Sequence, residues 1–362
     1  MRPLRVLFFT NNGLGAGHLA RTLAIAKALR RKTDRLELML ATTSEADALL
    51  AAVPIATVRW PAPLAARESG WSDQARRDVA RRVVRGAIEG FRPDLLVTDT
   101  FPHGPHGELS GLVREVPHRV LVRRSVRAER AGEGAAYAGL SEYDLAIVPD
   151  DPVEHASPAQ ALPIPTTRVP PITLFEAHEA HDRETARARL GLPREGRFIL
   201  VCSGGGGDPE AVRAATHAAE IVLGVRGPEA ATPVLAEGPL ERRIRGAHGE
   251  KTIARAHETP LQPFLAAFDG AIAPAGYNLA HELAKAGVPT ALFAMPRPFD
   301  DQAARAARFE QAGIGRALAT IDEETVAASL AWMARAPKPS LLAGGADSAA
   351  QALLELMNGA AP

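Results

Sequence analysis

The chain opens on an unbroken apolar run, Leu4–Thr10, closed by Asn11-Asn12-Gly13. From Gly17 to Arg31 the apolar positions Leu19, Leu23, Ala26 and Leu29 recur at helical spacing, which predicts a helix. The alternation then repeats. Leu36–Thr42 and Ile55–Val58 read as strands, with a helix between them opened by Ser44 as N-cap. A basic helix covers Asp73–Glu89. "PDLLVTD" (Pro93–Asp99), "RVLVRR" and "DLAIVPD" are three further strands, the first with an acid at its C-terminal end. Strands that alternate with helices predict an α/β fold with a parallel sheet covered on both faces.

A proline-rich stretch, "ASPAQALPIPTTRVPPIT" (Ala156–Thr173), interrupts the pattern. Its five prolines disfavour helix and strand, so it reads as a stiff linker. After the helix "HDRETARARLGL" the alternation restarts with "RFILVCSGGGGDPEAVRAATHAAEIVL", which is strand, Gly-rich turn and helix, the plan of the N-terminus. Later strands are expected at Pro233–Glu237, Gly270–Ala273 and Thr290–Ala294, and "SAAQALLELMN" is a terminal helix. The chain therefore divides into an N-terminal domain (1–160), a linker (161–175), a second domain of like plan (176–340) and a C-terminal helix (341–362). Short solenoid-type repeats are absent.

Composition narrows the function. A chain of 362 residues suits two cores. Lys and Arg total 42, and Asp and Glu also total 42, so there is no net field to hold nucleic acid. Cys202 is the sole cysteine, which rules out an intrachain disulfide and suits a reducing compartment. No apolar run approaches the roughly 20 residues that span a bilayer. The opening run is too short for a signal sequence, so a cytoplasmic location is expected.

The loop "NNGLGAGHLARTLAIAKAL" carries the first candidate chemistry. A dinucleotide fingerprint needs Gly-x-Gly-x-x-Gly and an acid at the end of the second strand. Gly13 and Gly15 fit, but position 18 is His, and the second strand ends "LMLATT" without an acid. A dehydrogenase reading therefore fails at two points. In open α/β sheets ligands sit beyond the C-terminal strand ends. There Gly15 and Gly17 let the backbone pass close to a ligand, and His18, in the first helical turn, can serve as a general base. The plainer alternative is a His that only caps the turn. Asp99, in "VTDTFPHGPHGEL", ends a strand on the same edge and can orient the imidazole; alternatively it caps the following turn. His103 and His106 follow it. They are interrupted by Pro105, so acceptor contact is favoured over a metal site.

Two further constellations lie in the second half. Ser203 and the glycines Gly204, Gly205, Gly206 and Gly207 precede a helix, which suits phosphate, while the Lys and Thr of a Walker loop are missing. In "DGAIAPAGYNLAHELAKAGVPTALFAMPRPFDDQAARAARFEQAGIG", Gly276 and a helix start offer amides for phosphate. Glu282 lies one turn further in and can accept ribose hydroxyls. Asp301 and Gln302 stand at the next strand end, within reach of sugar hydroxyls. The alternative makes Glu282 a surface acid and Asp301-Gln302 an N-cap pair. Asp150-Asp151 and Asp300-Asp301 imitate metal-binding acidic pairs, but such pairs are common at turns, and no metal is expected.

This third segment resembles the donor-site region of GT-B glycosyltransferases. It is similar to UDP-glycosyltransferases, to the enzyme that adds N-acetylglucosamine to the lipid-linked peptidoglycan precursor, and to a group of bacterial predicted glycosyltransferases. The matching residues are Gly276-Tyr277-Asn278, Glu282, Gly287, Pro289, Pro296-Arg297, Asp301-Gln302, Arg305-Ala306 and Gly313. The loop around His18 and the segment after Asp99 match the same group. The resemblance implies two Rossmann-like domains facing a cleft. It implies that Glu282 binds the ribose of UDP, that Gly204–Gly207 and Gly276-Tyr277-Asn278 lie against the diphosphate, and that Asp301 and Gln302 hold the donor sugar. Arg297 would assist the leaving group, and His18, oriented by Asp99, would deprotonate a small-molecule or lipid-linked acceptor. The reaction would be inverting, with no metal or other cofactor. The sequence departs from the pattern at Leu279, where Thr is usual, and at Ala16, an extra residue before Gly17-His18.

Three other readings share these residues: a nucleotide-sugar hydrolase, a 2-epimerase, and a non-catalytic nucleotide-sugar-binding protein. A peripheral membrane role is also weighed. Arg76, Arg77, Arg81, Arg82 and Arg85 flank Ala80, Val83, Val84 and Ala87 on the basic helix, which suits either an anionic lipid surface or a helix that simply covers the sheet.

Overall fold

The computed structural model of the protein describes residues 2–11, 15–123, 138–149, 162–240, 254–256, 258–298, 300–339 and 344–359. Gly13, Asp150, Asp151 and the 156–161 part of the Pro-rich stretch lie outside the described residues, as does the expected domain boundary at 160.

Two parallel sheets carry the molecule. The first contains β1 (Leu4–Thr10), β2 (Leu36–Thr42), β3 (Ala56–Arg59), β4 (Leu95–Asp99), β5 (His118–Val122), β6 (Leu145–Pro149) and β7 (Thr166–Val169). Their spatial order is β3-β2-β1-β4-β5-β6-β7. The second contains β8 (Phe198–Cys202), β9 (Thr232–Ala236), β10 (Ala254–Ala256), β11 (Gly270–Pro274), β12 (Thr290–Phe293) and β13 (Arg316–Leu318), in the order β10-β9-β8-β11-β12-β13. Central strands such as β4, β8 and β11 are buried along their whole length. That is what helices on both faces require of a parallel sheet.

Each sheet has a topological switch point, where connections leave in opposite directions and a crevice opens. In the first, β1 lies between β2 and β4, with Val6 opposite both Leu38 and Leu95. In the second, β8 lies between β9 and β11. Helix α1 (Gly17–Lys32) follows β1, α2 (Asp47–Ala52) follows β2, and α3 (Pro63–Glu68) and α4 (Asp73–Phe91) lie between β3 and β4. The second half contributes α5 (Arg183–Arg189), α6 (Pro209–Gly224), α7 (Tyr277–Lys285), α8 (Gln302–Gln311), α9 (Glu323–Met333) and α10 (Gly345–Met357).

Three sequence expectations need correction. The Pro-rich stretch is not all linker, because β7 forms the edge of the first sheet within it. Its prolines flank the strand rather than occupy it: Pro165 precedes Thr166, and Pro170-Pro171 follow Val169. An edge strand tolerates that arrangement. Ser44 is not the N-cap of α2. That position belongs to Ala46, whose amide donates to the Ser44 hydroxyl at 3.3 Å. The C-terminal helix belongs to the first domain. Its Ala346, Ala349, Ala350 and Leu353 share one core with Leu19, Leu23 and Leu29 of α1, and Arg31 pairs with Asp347 at 2.9 Å. Leu353 is fully buried there, so Leu353→Ala is expected to cost about 2–5 kcal/mol, read as a lower urea midpoint.

The basic helix α4 turns Ala80, Val84 and Ile88 onto the first sheet. Its apolar side is thereby covered. Arg81 donates to the Ser110 carbonyl at 3.0 Å, and Arg85 pairs with Glu115 at 3.2 Å. Among the described residues no helix is long and apolar enough to cross a membrane.

Candidate active site

The C-terminal ends of both sheets face one cleft of about 600 Å³. On the first sheet, the turn after β1 leads into α1, which places His18 in the first helical turn. Asp99 is the last residue of β4, the next strand. The two therefore meet across the switch point. The His18 Nδ1–H donates to Asp99 Oδ1 at 2.5 Å. This fixes the tautomer and leaves the Nε2 lone pair on a ring that lines the cleft. The extra residue is Ala16. It occupies the N-cap position of α1 and is buried.

Asp99 has other partners that sequence reading missed. Arg21 holds it bidentately, Nε to Oδ2 and Nη2 to Oδ1, both at 2.8 Å, and the Thr100 hydroxyl donates to Oδ1 at 2.7 Å. Arg21 and Asp99 are both buried. Burial alone would raise the Asp99 carboxyl, but the Arg21 guanidinium and then His18 outweigh it and hold it well below the usual carboxylate range. Asp99 is thus a fixed anion. Arg21 was legible in principle: it lies three residues after His18, on the same helical face.

The other wall of the cleft comes from the second sheet. Ser203, Gly204 and Gly205 follow β8, and Gly276, Tyr277 and Asn278 follow β11. Gly205 is a close approach between the halves. A Cβ there would lie 2.7 Å from Gly15 Cα and 2.8 Å from Ala16 N, both backbone atoms. Gly205→Ala is therefore expected to force the two halves apart at the cleft floor. It would reduce turnover while each half keeps its fold, which limited proteolysis and the activity assay together would report.

The two helix N-termini on this wall differ. Helix α6 is capped by its own acid: Asp208 accepts from the Glu210 amide at 2.9 Å, and Arg297 Nη2 donates to the same carboxylate at 2.6 Å. Gly204–Gly207 therefore do not present a bare helix end, and Arg297 is already paired. Helix α7 has Gly276 at its N-cap, no side-chain cap and no acid in its first turn. An uncapped N-terminus facing a cleft is an anion site. Only the backbone of Tyr277 serves it. The ring is buried, with the Arg305 guanidinium 5.4 Å from its centroid. The Asn278 side chain is turned aside too, donating to the Gly17 carbonyl at 2.9 Å and tying α7 to α1.

Glu282 lies on the cleft side of α7 rather than on the surface. Gln262 Nε2 donates to its Oε2 at 3.0 Å, while the buried Oε1 has no hydrogen bond of good geometry, the Leu174 amide being the nearby backbone donor. Burial pushes its carboxyl up to about 7, against smaller opposing contributions from Gln262 and Lys285. An under-satisfied buried acceptor beside a cavity has capacity for a further hydroxyl donor.

Two predicted contacts, Asp301 and His103, are relocated. Asp301 caps α8, accepting from the Ala304 amide at 3.1 Å, and lies outside the cleft lining; its neighbour Asp300 lines the cleft instead. Gln302 does line it, with Oε1 accepting from the Met295 amide at 3.0 Å. His103 is turned away from the cleft to Glu142, 3.1 Å off, packed over Gly139, whereas His106 lines the first-sheet side of the cleft. Among the described residues no cluster of three His, Cys, Asp or Glu side chains is placed to hold a metal ion.

Two domains of parallel sheet facing a common cleft define the GT-B class of fold. Solved structures bear this out. The spinosyn rhamnosyltransferase SpnG, complexed with thymidine diphosphate, superposes with a TM-score of 0.60 at 18% identity, covering 98% of this chain and 96% of that one. The calicheamicin glycosyltransferase CalG4 gives 0.59 at 17% identity, covering 100% of both chains. SnogD, a glycosyltransferase from Streptomyces nogalater, gives 0.60 at 16% identity, covering 99% of this chain and 100% of that one. No protein-family model matches the chain, and no curated protein matches it in sequence.

Proposed function

We propose that the protein is an inverting glycosyltransferase that moves a hexosyl group from a nucleoside diphosphate sugar, UDP-linked in our reading, to an acceptor hydroxyl. One observation carries this: a His–Asp pair and an uncapped helix N-terminus with a buried, under-satisfied carboxylate beside it face each other across a single cleft. The glycosyltransferase neighbours, one with thymidine diphosphate bound, support the same reading.

The roles follow from the geometry. The ribose hydroxyls donate to Glu282, and the diphosphate meets the first-turn amides of α7. The acceptor hydroxyl lies against His18. Nε2 takes its proton as the oxygen attacks the anomeric carbon, and the bond from that carbon to the phosphate oxygen breaks with its electrons leaving on the diphosphate. The leaving charge falls at the α7 amides, so the step needs no metal ion. Asp99 stays ionised and stabilises the imidazolium. In this reading Gln302 and Asp300, which line the cleft, contact the sugar hydroxyls. An N-acetylglucosaminyl donor and a lipid-linked acceptor are compatible with this site, and neither is required by it.

The test is incubation with UDP- and TDP-sugars, with and without a panel of hydroxyl acceptors, followed by nucleotide release and mass spectrometry. Transfer predicts acceptor-dependent release and a product heavier by one sugar. Equal release without acceptor makes the protein a hydrolase; an epimerised sugar makes it an epimerase; binding without turnover makes it a carrier.

Glu282 adds a pH signature. Its carboxyl is raised, so in the unliganded protein it contributes stability that is full below the ordinary carboxylate range and is lost as pH rises through about 7. Donor binding has the opposite sign, because hydroxyl donors favour the carboxylate. Affinity for a UDP-sugar is expected to rise about tenfold from pH 6 to pH 8. Glu282→Gln should flatten that dependence in calorimetry. An unchanged slope in the variant removes Glu282 from the donor site.

A further inference from the structure

We infer that the acceptor half of the cleft selects an acceptor bearing a single negative charge, a carboxylate on an apolar body, and that Arg76 is the residue that receives it. The inference rests on the reading of this half as the acceptor site and goes beyond it in naming the acceptor's chemistry.

Arg76 is an anomaly in α4. The other arginines of that helix point outward, where Arg81 and Arg85 find partners. Arg76 points inward, its side chain is 2% exposed, and it lines the cleft. Its Nε and Nη1 are buried and have no hydrogen-bond partner. The carboxylate in range is that of Asp73, 3.9 Å from Nε, and it is largely exposed on the helix's first turn. That is too long for a hydrogen bond and too wet to compensate a buried charge. A guanidinium cannot escape by losing its proton. Its charge is felt in the cleft wall, where partial burial and then Arg76 hold the His106 imidazole below its ordinary value.

A buried cation without a partner is strongly disfavoured unless something supplies an anion. The surroundings restrict what that is. Glu108 lines the same wall, fully buried, and its carboxylate is committed elsewhere: it accepts from Asn11 Nδ2 at 3.1 Å and from the His106 amide at 2.9 Å. Glu108 and Arg76 both act on the His106 imidazole, and a carboxylate already in that wall disfavours a dianion such as a phosphate monoester relative to a single charge. Leu49, Pro63, Phe101 and Pro105 line that half beside the polar Asn11, Thr43 and Thr100, which suits a mostly apolar body with a hydroxyl. The resulting acceptor is an apolar acid. Its carboxylate would sit on Arg76 while a hydroxyl elsewhere on it reaches His18.

The probe pair is benzoate and benzamide, which differ in charge and hardly in shape. The purified full-length protein is titrated with each and read by thermal shift and by the Arg76 Nε–Hε NMR signal, assigned through its loss in Arg76→Lys. Benzoate is expected to saturate, to move that signal, and to bind about tenfold tighter than benzamide. Arg76→Gln should erase the preference and Arg76→Lys should keep part of it. Equal binding of acid and amide, no saturable binding of benzoate, or an acid preference that survives in Arg76→Gln overturns the inference. Should Arg76→Gln fail to fold, the wild-type comparison and the Arg76 signal decide alone. UDP binding is measured in the same samples. Its loss from the wild type sinks the donor reading and leaves the benzoate result standing; intact UDP binding without benzoate preference sinks this inference alone.

Discussion

Replacing His18 by alanine is expected to lower glycosyl transfer about 10²–10⁴-fold, the range typical for loss of a positioned general base. Affinity for the nucleotide should stay within about twofold, because the donor wall is built from Glu282 and the start of α7. The split between the two readouts is the point. A structural histidine at the head of α1 would take donor binding down with it, since α1 and α7 are tied through Gly17 and Asn278. Wild-type turnover in His18→Ala removes this residue from the chemistry. Adding imidazole to the variant and recovering part of the rate would support the base role directly.

Asp99→Ala is expected to destabilise the fold by about 3–5 kcal/mol as well as to abolish transfer. The reason is Arg21 rather than His18. The guanidinium is buried, and Asp99 supplies its bidentate partner. Deleting the carboxylate leaves an unneutralised charge beneath β1 and α1. Removing both ends of the pair should cost less than removing Asp99 alone, since the double variant Asp99→Ala with Arg21→Met has no buried charge left. Urea unfolding of the two single variants and the double variant measures this. Additive losses would mean that the pair is not coupled. Low pH has the same sign: Asp99 is held below its ordinary value, so the stability it contributes is present above the usual carboxylate range and is lost as pH falls through its lowered value.

Much of the architecture was legible along the chain. Apolar runs at Leu4–Thr10, Leu95–Asp99 and Phe198–Cys202 are long enough, and apolar on both faces, to declare buried parallel strands. The helix after Gly17 shows the matching period. The short strands β10 and β13, three residues each, were not legible, because so few residues carry no period. Proline content misled in the other direction. It describes the chain around β7, whereas strand pairing depends on the four residues between the prolines.

The site divides along the same line. His18 and Asp99 were legible because they stand in a first helical turn and at a strand end, and Glu282 because it lies one turn into the helix that follows a strand end, positions set by local order. Which of Asp300 and Asp301 faces the cleft was not, because one residue of rotation at the head of α8 decides it. His103 and His106 part for a like reason: Glu142, 39 residues on, draws one of them away. The sequence by itself determined the two βα halves, their Gly-rich turns and the residue types at their strand ends, since these follow from local period and backbone freedom. Only the tertiary structure decided that Arg21 neutralises Asp99, that Asp208 closes the head of α6 while α7 stays open, and that Arg76 lies buried with no anion hydrogen-bonded to its Nε or Nη1. Each of those is a statement about charge in a low-dielectric interior, and burial and distance come into being only when the two halves and their helices have packed.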